Sequence, residues 1–127
     1  MKQSTVILDP RNFPEYASLY EWRQFLKAEL LKKRDYKSDF SGKLITRHTG
    51  CEMHEGILTR ANVPQGISWS RLIHHEYNCF LLLKDEHDPI CPSRAWCIAR
   101  SYGLYGEDTI REWYKSLPFK AFPFQLP

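Results

Sequence analysis

Between Glu15 and Arg34 apolar residues recur at spacings of three and four, with Leu19, Trp22, Phe25, Leu26 and Leu30 on one face of a predicted helix. Pro14 stands at its start, and Lys32, Lys33 and Arg34 suit the negative end of its dipole. Ahead of it, Thr5-Val6-Ile7-Leu8 reads as a short strand closed by Asp9-Pro10. Ser41-Gly42 marks a turn. Lys43 to Thr46 and Cys51 to Thr59 read as extended pieces parted by Thr49-Gly50, and Asn62 to Trp69, with Pro64, Gly66 and Ser68, as a loop. Tyr77 to Leu83 is an apolar run bounded by polar residues, the pattern of a buried strand. Asp88-Pro89 and Cys91-Pro92 then break the chain, and Ser93 caps a helix to about Tyr102, ended by Gly103. Glu107 to Ser116 is a last helix with Ile110, Trp113, Tyr114 and Leu117 on its apolar side. The Pro- and Phe-rich tail from Pro118 to Pro127 reads as an extended strap.

This order predicts an α+β fold: an N-terminal amphipathic helix, short strands, and two C-terminal helices. At 127 residues the chain is expected to be a single domain, 1–127, burying roughly two-thirds of its unfolded surface. A 14% aromatic share argues for packed cores over disorder. No apolar run approaches the roughly 20 residues of a membrane span, and the N-terminus lacks an apolar signal segment, so a cytoplasmic protein without a membrane partner is expected. Cys51, Cys79, Cys91 and Cys97 form no C-x-x-C pair and read as reduced, buried thiols.

A net charge of +3 says little, but its distribution is uneven: residues 23–47 carry +5, leaving −2 for the remainder. Such a basic segment can contact phosphates, or simply serve as a solvated helix face.

Chemistry concentrates in two stretches. Cys51-Glu52-Met53-His54-Glu55-Gly56-Ile57 holds an acid-flanked histidine, and Asn78 through His87 brackets the buried strand with an Asn and a His nine positions apart. Phosphodiester hydrolysis needs a deprotonated water, screening of the added charge on phosphorus and a stabilised leaving oxygen. One hard divalent cation serves the last two needs and an imidazole commonly serves the first. His54 and His87 are placed to converge from the two ends of a two-stranded unit. His74 and His75 are further imidazoles outside this pattern. Trp96, Trp113 and Tyr114 read as core, and Arg47 and His48 as a hairpin tip.

From Arg34 to His87 the chain resembles the HNH endonucleases. Members of that family commonly run from an Arg-Asp pair through a C-x-x-C-Gly knuckle and an acid-and-histidine strand to N-L-x-x-L-C-x-x-C-H. This chain has Arg34-Asp35, Ser38-Asp39-Phe40-Ser41-Gly42, Glu52-Met53-His54-Glu55, and Asn78 to His87. Ser38, Ser41, Leu83 and Glu86 stand at the four cysteine positions, so no structural zinc is expected, with packing by Phe40 and Leu83 in its place.

The resemblance implies a ββα-metal core over about 34–102 and one divalent metal (Mg, Mn, Ni or Zn), with no small-molecule organic cofactor. His54 falls at the first metal-ligand position and His87 at the last. Glu55 falls where the family carries its general-base histidine, so it is a candidate ligand or water-activating group, with His54 itself as the alternative base. Asn78 would position the catalytic group. Lys32, Lys33, Arg34, Lys37, Lys43 and Arg47 would hold the backbone of DNA. The small size is similar to phage or mobile-element HNH proteins, which would act in the host cytoplasm. The same residues fit a degenerate HNH scaffold that binds nucleic acid or a protein partner without cleaving, or an unrelated α+β interaction domain.

Overall fold

Ser18, not Pro14, sets the start of the first helix, α1 (Leu19–Lys33). Its Oγ accepts from the Glu21 N–H at 3.1 Å while the Glu21 carboxylate accepts from the Ser18 N–H at 3.4 Å, a reciprocal cap that satisfies two otherwise orphaned donors. The helix therefore begins later than the apolar spacing alone suggests. These observations come from a computed structural model that describes residues 6–64, 67–119 and 126.

After α1 come β1 (Glu52–Glu55), α2 (Ile67–Ile73), β2 (Cys79–Leu82), α3 (Arg94–Tyr105) and α4 (Glu107–Ser116). The fold is α+β, with a two-stranded antiparallel sheet in which Glu52 faces Leu82, Met53 faces Leu81, His54 faces Phe80 and Glu55 faces Cys79. Side chains alternate along a strand, and directly opposed residues share a face. Met53, Cys79 and Leu81 pack on one side with Trp22, Leu26 and Leu30 of α1. Phe80 packs on the other with Ile57, Ile73, and Cys97 and Ile98 of α3, where Ile110 and Trp113 of α4 join the cluster. The sheet is thus held between α1 and α3.

Several expectations change. The residues of the predicted first strand that are described, Val6 to Leu8, do not form one; the Leu8 backbone instead exchanges hydrogen bonds with Glu76. Strand β1 is confined to 52–55, and Leu44 makes only an isolated bridge to Lys37. The segment read as a loop, Asn62 to Trp69, begins on the last residue of a short 3-10 turn, Arg60–Asn62, and ends inside α2. Helix α3 runs through Gly103 and stops at Gly106, whose φ of 95° lies in a region that favours glycine. Helix α4 matches its predicted bounds. Residues 120–125 and 127 of the predicted C-terminal strap lie outside the described residues. All four cysteines are free; Cys79 and Cys97 are buried as expected, Cys51 is half-buried, but Cys91 is exposed. Among the described residues no helix is long and apolar enough to cross a membrane.

Candidate functional site

His54 lies on β1 opposite Phe80, so its side chain shares the α3 side of the sheet. His87 follows β2 in a wide turn, Glu86–Ile90. The two rings meet edge to face with centroids 5.3 Å apart. Both are half-buried. Burial, then the neighbouring His87, draws the His54 pKa below its ordinary value, although a hydrogen bond to the Pro92 carbonyl pulls the other way. Two imidazoles sharing a cation through bonds of about 2 Å would have centroids roughly 5 Å apart.

Asn78 is fully buried immediately before β2. Its Oδ1 accepts from the N–H groups of Ile57 and Leu58 at 2.9 and 2.8 Å, and its Nδ2 donates to the carbonyls of Leu58 and Ile73, both at 2.8 Å. Its own carbonyl accepts from Gly56 N–H at 3.0 Å. The residue ties the exit of β1 to the end of α2 and the start of β2. It positions the strand that carries His54, and its amide has no capacity left to position a water.

Glu55 does not join the histidine pair. It follows His54 on a strand and so points to the opposite face, where Oε1 lies 2.9 Å from His74 Nε2. His74 is fully buried, and its Nδ1 bonds the Ser70 carbonyl at 2.7 Å. Burial raises the Glu55 carboxyl, but the His74 hydrogen bond and charge, with Arg23 nearby, hold it below its ordinary value. Glu55, expected as a ligand or water activator, is instead placed against His74 on the face away from His54. Strand alternation is the physical reason.

The four knuckle positions do come together. Ser38 donates to Glu86 Oε1 at 2.5 Å, the Ser41 hydroxyl also bonds this carboxylate, and Leu83 N–H donates to the same Oε1 at 3.0 Å. Ser38 Oγ in turn accepts from the N–H groups of Phe40 and Ser41. The expectation that Phe40 packs here is not met: Phe40 is exposed and leans on Trp96, with ring centroids 5.3 Å apart. Leu83, the other residue expected to pack, is buried, and hydrogen bonds to Glu86 join the two segments.

Of the six basic residues expected on a nucleic-acid surface, Lys32, Lys37, Lys43 and Arg47 are exposed. Lys33 and Arg34 are spent inside the fold. Lys33 Nζ pairs with Glu76 at 2.8 Å, and Arg34 bridges Asp39 at 2.8 Å and the Tyr105 hydroxyl at 2.7 Å. Asp39 also accepts from Leu81 N–H at 2.8 Å, so this network fastens the end of α1 to β2.

Three further residues shape the surroundings of the histidine pair. Glu86 stood next to His87 at a cysteine position, and its carboxylate was the available signal. His74 matched no motif position, and only the fold brings it to Glu55. Gly56 is required by close approach: a Cβ there would lie 2.2 Å from Cys97 Sγ. Among the described residues no group of three or more His, Cys, Asp or Glu side chains is arranged to hold a metal ion. Comparisons of the chain with protein-family models, curated proteins and solved structures return no match.

Proposed function

We propose that this chain is a metal-dependent endonuclease of the HNH type, with β1, β2 and α3 as a ββα-metal core, and that it hydrolyses phosphodiester bonds in DNA. The observation that carries this reading is the 5.3 Å approach of His54, on β1, to His87, in the turn after β2. The meeting of all four knuckle positions around Glu86 supports the same reading independently.

His54 and His87 would hold the cation through ring-nitrogen lone pairs. Mg, Mn, Ni or Zn at that position would supply positive charge against the scissile phosphate and acidify an attacking water. Asn78 holds the His54 strand in register. Exposed Lys32, Lys37, Lys43 and Arg47 bind the DNA backbone, which makes affinity fall with salt.

The test is conversion of supercoiled plasmid with Mg²⁺, Mn²⁺, Ni²⁺ or EDTA by wild type and His87→Ala. Cleavage that needs metal and disappears in His87→Ala supports the proposal. His54→Ala separates two roles: lost Ni²⁺ binding makes His54 a ligand, and retained binding with lost cleavage makes it the proton acceptor. One observation favours a second reading, a scaffold that binds nucleic acid or a protein without cleaving it. Glu55 is turned to His74, which leaves the family's general-base position empty of a reactive group. DNA binding by wild type with no cleavage under any metal would establish that reading instead.

A further inference from the structure

We infer that Glu86, acting with Ser38, is a positioning residue for His87: a hydrogen-bonded clasp does at this place what a bound structural metal would otherwise do. The inference rests on the metal-site reading for what His87 does, but on separate geometry for how it is held. Glu86 is buried, with 6% of its surface exposed, although it is a carboxylate on a turn. Its carboxylate collects the Leu83 N–H and the hydroxyls of Ser38 and Ser41. Its backbone is equally engaged: the N–H groups of Glu86 and His87 both donate to the Leu83 carbonyl, at 2.9 and 3.1 Å, and Cys91 N–H donates to the Glu86 carbonyl at 2.9 Å.

The turn bearing His87 is therefore closed on itself by backbone bonds and fastened to the 38–41 loop by one side chain. That loop is rigid on its own account, since Ser38 Oγ accepts from Phe40 and Ser41 N–H and the Ser38 N–H donates to the Lys43 carbonyl at 2.8 Å. Ser38 thus stands at the centre of a small network that Glu86 links to the His87 turn. A buried carboxylate with several donors is stable only while those donors stay in place. Removing it leaves the Leu83 N–H and the Ser38 hydroxyl without their acceptor and frees the turn to shift. A metal ligand is sensitive to such a shift because the groups behind it fix its orientation.

Four variants and two readouts test this. Ring-to-ring NOEs between His54 and His87 report the pair without any metal, and calorimetric titration with Ni²⁺ alone reports binding. Glu86→Ala and Ser38→Ala, each checked for folding by circular dichroism, are expected to lose the NOE and to weaken Ni²⁺ binding about tenfold to a hundredfold. Glu86→Gln keeps an acceptor oxygen at the same place and is expected to retain both. The fourth variant, S38C/S41C/L83C/E86C, is expected to take up one Co²⁺ per chain with the absorption of a tetrahedral thiolate site and to keep the NOE. An NOE and a Ni²⁺ affinity unchanged in Glu86→Ala and Ser38→Ala would overturn the inference, as would failure of the four-cysteine chain to bind Co²⁺. Wild type that shows the NOE but binds no Ni²⁺ would sink the metal-site reading alone, and the NOE arm would then decide the clasp.

Discussion

Glu55 Oε1 and His74 Nε2 lie 2.9 Å apart, on the face of the sheet turned away from His54 and His87. The pair joins β1 to the residue that follows α2, and His74 is wholly enclosed. Removing Glu55 takes away the carboxylate that faces this buried ring. Glu55→Ala is expected to lower unfolding stability by about 1–3 kcal/mol, read from urea denaturation. Ni²⁺ affinity of the folded variant is expected to stay at the wild-type level, and Glu55→His should not raise cleavage. A Glu55→His chain that cleaves faster would show that this side chain reaches the histidine pair.

Asn78 uses both amide hydrogens and its carbonyl oxygen on backbone groups of three residues in the interior. Asn78→Ala strands two N–H donors and removes a donor from two carbonyls, at about 1–3 kcal/mol for each buried group left unpaired. Loss exceeding about 3 kcal/mol is expected, with a lower midpoint in guanidinium. Asn78→Asp is expected to be no better, because it keeps the acceptor but buries a charge and loses both donors. A stable Asn78→Ala protein lacking only cleavage would return Asn78 to the chemistry.

Acid should weaken the fold in two stages. His75 is 3% exposed, and burial holds its pKa below the ordinary value against the pull of Asp9. The unfolded chain takes up that proton first, so its contribution is complete above about pH 6.5 and declines as pH falls below that, until the folded histidine also protonates. His54 carries the same sign. Burial raises the Asp9 carboxyl, but hydrogen bonds from His75 and Arg11 outweigh it and hold the pKa low, so this contribution is lost only below about pH 4. Melting temperature is expected to fall between pH 7 and 5.5, and His75→Gln to flatten that part of the profile. An unchanged slope in His75→Gln would locate the acid sensitivity elsewhere.

Gly56 closes β1 against α3. A Cβ added there meets Cys97 Sγ at 2.2 Å, Cys97 Cβ at 2.7 Å and Phe80 at 3.0 Å, all of them in packed surroundings. Gly56→Ala is expected to cost at least about 1–3 kcal/mol through overpacking, seen as a lower melting temperature in calorimetry. Gly103→Ala makes the control: a Cβ there meets nothing within 4 Å and the position is helical, so no loss is expected.

Much of the site could be read from spacing. The nine-residue step from Asn78 to His87 spans β2 and the turn after it, and the Ser38, Ser41, Leu83 and Glu86 positions that mirror two cysteine pairs do gather around one carboxylate. The role of Glu55 was partly legible as well. Once His54 is placed on a strand, alternation sends Glu55 to the other face. Short elements were harder. Helix α2 is too brief to show a period, and Pro64 and Gly66 just ahead of it suggest a loop. Gly103 and Gly106 look equally able to end α3, and only the second has the positive φ that does so.

By itself the sequence determined the amphipathic face of α1, the limits of α4, the buried run that becomes β2, and the residue types able to hold a cation. These follow from local periodicity, capping and composition, which act over a few residues. Tertiary structure alone decided that Lys33 and Arg34 turn inward to Glu76 and Asp39, that His74 meets Glu55, and that Glu86 fastens the His87 turn to Ser38. Each of those contacts joins a charged or polar group to a partner on a different element. Burial makes an unpaired charge costly, so the choice of partner is settled by which elements pack together, and no local pattern encodes that.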